Sequence, residues 1–174
     1  DSKKRIWAGG EMGISVFNQV GTSLLPNTDF QIASVLKQAF VNCFYETSSG
    51  YLWIGTRNGL FALKESDKQF LQYTTENGLP SNVIYGTLED AYGRLWISTN
   101  QGLSCLNSES GKFRNFTIMD GLQGNQFNAG AYCRKDNGYM LFGGVNGITS
   151  FRPETLIDNP YAPKPVVNKL FVHN

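Results

Sequence analysis

With 174 residues, 41% of them hydrophobic, the chain is long enough to bury one packed core. Fifteen basic against fourteen acidic residues leave a formal charge of +1, which gives no electrostatic footprint for nucleic acid or an anionic membrane surface. No apolar stretch approaches the ~20 residues of a membrane helix and no basic-then-apolar start marks a signal peptide, so neither is expected in this segment.

Nineteen glycines and 13% aromatic residues predict an all-β chain of short strands and tight turns. Taken in order, four segments align without gaps: Arg5 to Phe17 (RIWAGGEMGISVF), Tyr51 to Leu63 (YLWIGTRNGLFAL), Arg94 to Leu106 (RLWISTNQGLSCL) and Tyr139 to Phe151 (YMLFGGVNGITSF). In each, a large apolar residue (Trp7, Trp53, Trp96, Leu141) stands six positions before a glycine (Gly13, Gly59, Gly102, Gly147). The anchors recur 46, 43 and 45 residues apart, the period of four-stranded propeller blades. A helical solenoid has a similar period, but these segments lack a 3.6-residue pattern.

Each anchor segment reads as two strands around a tight turn, as in Leu52 to Thr56 and Leu60 to Lys64 flanking Arg57-Asn58-Gly59. Apolar runs at Val41 to Tyr45, Val83 to Leu88 and Phe127 to Cys133 predict the strand before each anchor. Phe30 to Val35, Phe70 to Thr74 and Phe113 to Ile118 predict the strand after it. The anchor strands are apolar on consecutive residues, as expected for sheets covered on both faces. Asn18 to Thr28, rich in Gly, Ser, Pro and Asn, is expected to be a loop that absorbs the longer first period.

Asp90-x-x-Gly93-x-x-Trp96 has a counterpart in Asp1-x-x-Lys4-x-x-Trp7, which places residue 1 in the turn that follows a blade's first strand. The expected organisation is a partial β-propeller of about three to four blades over 1–152. A linker over 153–165, which holds four of the six prolines, and one further strand over 166–174 follow it.

Several residues invite a chemical reading. Trp7, Trp53 and Trp96 have faces that stack on sugars, but their repeat-locked position predicts core packing. Glu89 with Asp90, or Asp136, would supply the paired carboxylates of a glycoside hydrolase, but all sit beside turn glycines, where carboxylates accept main-chain hydrogen bonds. Gly9-Gly10 and Gly143-Gly144 lack the helix and the Lys-Ser/Thr of a phosphate loop. Cys43, Cys105 and Cys133 form no C-x-x-C pair and the single histidine is His173, so no metal, no cofactor and no catalytic residue is expected. Contacts to a ligand would fall on non-repeated polar loops: Asn18 to Thr28, Arg57-Asn58, Asn100-Gln101 and Asn125 to Asn128.

The residues Asn77-Gly78-Leu79-Pro80-Ser81-Asn82-Val83-Ile84, Glu89-Asp90-x-x-Gly93-Arg94-Leu95-Trp96-Ile97-Ser98-Thr99 and Gly102-Leu103 resemble the two-component regulator propeller repeat. Asp120 to Asn128, running through Leu141 to Ile148 and on to Phe151-Arg152-Pro153, resembles the last such repeat. Pro163 to Asn174 resembles the first strand of the immunoglobulin-like domain that follows. In the first blade Leu36-Lys37-Gln38-Ala39-Phe40 departs from the Leu79 to Val83 pattern.

The resemblance implies part of the sensor region of a hybrid two-component histidine kinase, on the periplasmic side of an inner membrane in Bacteroides-type bacteria. It further implies an oligosaccharide ligand, a homodimeric parent, and the remaining blades and the immunoglobulin-like domain as partners. Phosphorelay and transcription control would follow downstream, with no nucleic-acid contact by this segment. The competing readings are a structural or dimerisation segment without a ligand site, and a propeller hydrolase or lyase.

Overall fold

A computed structural model describes residues 1–28, 31–64 and 69–156. Within them the chain forms four antiparallel sheets. The first holds β1 (Arg5–Gly10), β2 (Gly13–Val20) and β3 (Ser23–Pro26). The second holds β4 (Val41–Glu46), β5 (Tyr51–Thr56), β6 (Gly59–Lys64) and β7 (Gln69–Tyr73), and the third β8 (Ile84–Glu89), β9 (Leu95–Thr99), β10 (Gly102–Asn107) and β11 (Lys112–Phe116). The fourth holds β12 (Phe127–Arg134), β13 (Met140–Gly144) and β14 (Gly147–Phe151). Strands are neighbours in chain order within every sheet, and the inner strands β4, β8 and β12 lie against one another. This is the blade arrangement of a β-propeller.

Burial follows position in the blade. Every residue of β9 is buried and β3 is exposed throughout, because β9 is covered by sheets on both faces whereas β3, an outer strand of the first blade, meets solvent. Three apolar clusters fill the three blade interfaces. Trp7 and Phe44 pack with Leu52, Ile54 and Phe61 between blades 1 and 2; Trp53, Leu60, Ile84 and Leu95 pack between blades 2 and 3; Trp96, Leu103, Phe127 and Phe142 pack between blades 3 and 4. Each fully buried aliphatic side chain adds ~1.5–3 kcal/mol of transfer free energy. On the far face of blade 4 the equivalent residue, Ile148, is 64% exposed, against 0% for Leu60 and 1% for Leu103.

The anchor glycines of blades 2 and 3 are fixed by close approach. Gly59 and Gly102 have φ of +117° and +115°, and a Cβ on either would stand 2.5 or 2.3 Å from the carbonyl oxygen of Tyr73 or Phe116. Only glycine meets both demands.

Blade 1 departs from the sequence expectation twice. Asn18 to Thr28 is not a loop throughout, since β2 continues to Val20 and pairs with β3 across a tight turn. Conversely, the strand expected over Phe30 to Val35 is replaced by the short helix α1 (Gln31–Val35). Ile32 and Leu36, one helical turn apart, are both 1% exposed and plug the blade 1–2 core. Among the described residues blade 4 has three strands, and after β14 the chain turns through a 3-10 segment at Pro153–Thr155. The strand expected over 166–174 lies outside the described residues, as does most of the 153–165 segment.

Candidate functional site

The repeat brings its polar residues to two regions, the turns between first and second strands and the connections between blades. The turn between β8 and β9 is organised by Asp90, 5% exposed. Its Oδ1 accepts from the amides of Tyr92 (2.9 Å) and Arg94 (3.0 Å), and its Oδ2 from Arg94 Nε (2.6 Å) and Trp96 Nε1 (3.0 Å). Asp1 repeats the arrangement, with Oδ1 accepting from the amides of Lys3 and Arg5, and Oδ2 from Arg5 Nε and Trp7 Nε1, both at 2.7 Å. Gly93 has a φ of +73°, and the residue in its place in blade 1, Lys4, is the single non-glycine with positive φ (+60°) among the described residues. Asp90 is thus committed to holding an indole and a turn.

Blade 2 has Thr47 where blades 1 and 3 have aspartate. Thr47 Oγ1 bonds to the Tyr51 amide and carbonyl, each at 3.2 Å, and to Ser49 Oγ. Trp53 Nε1 is left buried without a hydrogen-bond partner. In blade 4 Lys135 takes the position, beside Asp136, and Leu141 replaces the indole.

A second polar pattern crosses the blade boundaries. Glu46, the last residue of β4, accepts the Ser2 amide (2.7 Å) and hydroxyl (2.5 Å). Glu89, the last residue of β8, accepts the Ser48 amide (2.9 Å) and hydroxyl (3.1 Å). Donation by the Ser2 hydroxyl holds the Glu46 carboxyl below its ordinary range. At the third boundary Arg134 occupies the glutamate position and donates from Nη1 to the Glu89 carbonyl at 3.0 Å. Glu89 and Asp90 therefore serve different partners and do not face one bond. Sequence reading missed these ties; the signal for them was the glutamate that precedes both Thr47 and Asp90, one repeat apart.

The blade connections reuse a single device. Thr74 caps a 3-10 turn at Thr75–Asn77 that ends on Gly78, and Thr117 caps one at Ile118–Asp120 that ends on Gly121. Asn82 Oδ1 accepts the Thr75 amide and Asn125 Oδ1 the Ile118 amide, both at 2.8 Å, while their carbonyls accept the amides of Gly59 and Gly102. Asn125, one of the expected ligand-loop residues, thus has its side-chain oxygen engaged in the connection.

The other expected loops are distributed as follows. Arg57 lies over the Phe40 ring at 3.7 Å, and the Asn58 carbonyl accepts Gln72 Nε2. Asn100 and Gln101 occupy the equivalent turn of blade 3, where Asn100 Oδ1 is buried without a hydrogen-bond partner. Asn128 is exposed on β12, in the bulge between Phe127 and Tyr132. Asn27 Nδ2 donates to Asn18 Oδ1 across the β2–β3 hairpin.

Cys43 and Cys105 are buried thiols pushed up to about 11 by desolvation, and Cys133 is exposed. Burial also pushes the Tyr132 phenol up to about 12. Among the described residues no group of three or more His, Cys, Asp or Glu is placed to hold a metal, and no helix is long and apolar enough to cross a membrane.

These features define an arc of β-propeller whose repeated side chains bind the repeat to itself. A family model, the two component regulator propeller, matches residues 36–58 and 78–101. Histidine kinase P4 of Formosa agariphila is 30% identical over 180 residues, covering 100% of this chain and 13% of that protein. The extracellular domain of the hybrid two component system BT3049 from B. thetaiotaomicron is 25% identical with a TM-score of 0.77, covering 88% of this chain and 21% of that one. The extracellular domain of BT4673 from the same bacterium, 24% identical, shares the fold at a TM-score of 0.67 over 89% of this chain and 23% of its own. The chain is similar to extracellular domains of two-component systems and spans a small part of each relative.

Proposed function

We propose that this chain is part of the extracytoplasmic ligand-sensing region of a hybrid two-component sensor, contributing blades that receive an oligosaccharide and pass the event to a phosphorelay controlling transcription. The observation that carries the reading is the likeness to the BT3049 extracellular domain over 88% of this chain. The periplasmic face of an inner membrane, a dimeric parent, and contacts with further blades and an immunoglobulin-like domain belong to the same proposal. So does the reading of this segment as non-catalytic, within a parent whose kinase acts elsewhere. The turns at Arg57-Asn58 and Asn100-Gln101 offer donors and acceptors of the kind that hydroxyl groups require.

One observation favours a second reading, a structural segment with the ligand bound elsewhere: Asp90, Glu89, Asn82 and Asn125 are all engaged within the repeat. The test is a thermal-shift screen of a panel of oligosaccharides against the longer protein that contains this chain, followed by Arg57→Ala and Asn100→Ala. A saturable shift that these variants weaken at least about tenfold supports a site here. A shift they leave unchanged assigns this segment the structural role, and no shift with any glycan overturns oligosaccharide sensing.

A further inference from the structure

Arg94 holds two parts of the chain at once. Its Nε donates to Asp90 Oδ2 at 2.6 Å, and its Nη2 to the main-chain carbonyl of Pro153 at 3.2 Å. The second bond joins residues 59 apart, linking the β8–β9 turn of blade 3 to the 3-10 turn by which the chain leaves blade 4. An aromatic contact runs beside it. Phe151, the last residue of β14, lies 4.7 Å from the Trp96 ring and is stacked on Phe142 at 6.2 Å.

The exit turn is held from its other side as well. Pro153 is buried, Arg152 Nη2 donates to the Asn137 carbonyl at 2.8 Å, and the Arg152 guanidinium covers the Tyr139 ring at 5.0 Å. Within the turn the amides of Thr155 and Leu156 bond to the carbonyls of Arg152 and Pro153. A cavity of about 200 Å³, bounded by Tyr92, Arg134, Pro153 and Glu154 among others, adjoins the contact and leaves the turn room to shift.

We propose that Arg94 is a coupling residue, a latch that sets the packing of blade 3 on blade 4 and the orientation of the chain leaving blade 4 together. A planar guanidinium presents Nε and Nη donors in a fixed fork, so its two acceptors are positioned relative to each other; an ammonium carries the charge without that fork. An event that displaces blade 3 against blade 4 then biases the exit direction, and a displaced exit segment biases the blade 3 turn by the same free energy. The use of this latch in signalling rests on the sensing role proposed above, whereas the coupling itself is a property of the fold.

The test is hydrogen exchange followed by mass spectrometry on the 174-residue chain, comparing the wild type with Arg94→Lys, Arg5→Lys and Phe151→Leu. Arg5→Lys disturbs the matching clamp on blade 1 and serves as the control. In Arg94→Lys the amides of Thr155 and Leu156 are expected to exchange about tenfold faster, the loss of one charge-assisted hydrogen bond, while those of β5 and β6 keep their rates. In Phe151→Leu, which leaves Arg94 intact, the amides of Tyr92 and Arg94 are expected to exchange faster. Unchanged exchange at Thr155 and Leu156 in Arg94→Lys, equal acceleration there in Arg5→Lys, or unchanged exchange at Tyr92 and Arg94 in Phe151→Leu would each overturn the latch. If Arg94→Lys does not fold, the Phe151→Leu arm decides alone. No glycan enters the experiment, so it stands or falls separately from ligand sensing.

Discussion

Replacing Asp90 with alanine removes the acceptor for four donors, the amides of Tyr92 and Arg94, Arg94 Nε and Trp96 Nε1. Trp96 is 1% exposed, so its indole N–H has no water to turn to. Breaking a fully buried charge pair from one side costs ~3–5 kcal/mol. The Arg94 side chain is 28% exposed and recovers part of its solvation, which places the expected loss near the lower bound, ~3 kcal/mol. Blade 2 supplies an internal control, because Thr47 holds the equivalent position and Trp53 Nε1 already lacks a partner. Thr47→Ala loses the hydroxyl bonds to Tyr51 and Ser49, at an expected ~1 kcal/mol. Urea unfolding monitored by tryptophan fluorescence measures both, compared by midpoint at equal slope. Equal losses in the two variants would refute the argument that the carboxylate, and not the turn alone, holds the blade.

Three further outcomes are expected. Lys4→Gly should raise the urea midpoint by ~1 kcal/mol equivalent, since Lys4 sits at a φ of +60° where Gly50, Gly93 and Gly138 stand in the other turns; a lower midpoint would contradict left-handed strain there. The Glu46 carboxyl is held below its ordinary value of 4.5 in the folded state, so its bonds to Ser2 stabilise above that value and are lost as pH falls through the lower folded one; Glu46→Gln should remove this part of the acid dependence, and identical pH profiles for the two proteins would exclude it. With a disulfide reagent at pH 8, Cys133 should react rapidly while Cys43 and Cys105, buried and pushed up to about 11, react only as the blades open; three fast thiols would contradict the packing of the apolar clusters between the blades.

The features legible in the sequence are local ones. The anchor hairpins and the turn from Asp90 to Trp96 close within a few residues, so their hydrogen-bond partners lie inside the motif that announces them. The reading failed in blade 1, where neighbouring sheets decide. Ser23–Pro26 carries no buried face, so as an edge strand it has a loop's composition. Ile32 and Leu36 span a single helical turn, too short for periodicity to separate helix from strand. Among the expected ligand loops, Asn125 looks like a free polar residue until the fold shows its oxygen on the Ile118 amide.

By itself, then, the sequence determined the repeat, its period and the hairpin register, because each blade's second and third strands are specified by contacts between near neighbours in the chain. Tertiary structure alone decided which polar side chains tie distant parts of the scaffold together. Glu46 meets Ser2 across 44 residues, Glu89 meets Ser48 across 41, and Arg94 reaches Pro153 across 59. Such bonds exist only once the blades have packed, since it is burial of the apolar interfaces that brings these distant groups within hydrogen-bonding distance and shields them from water.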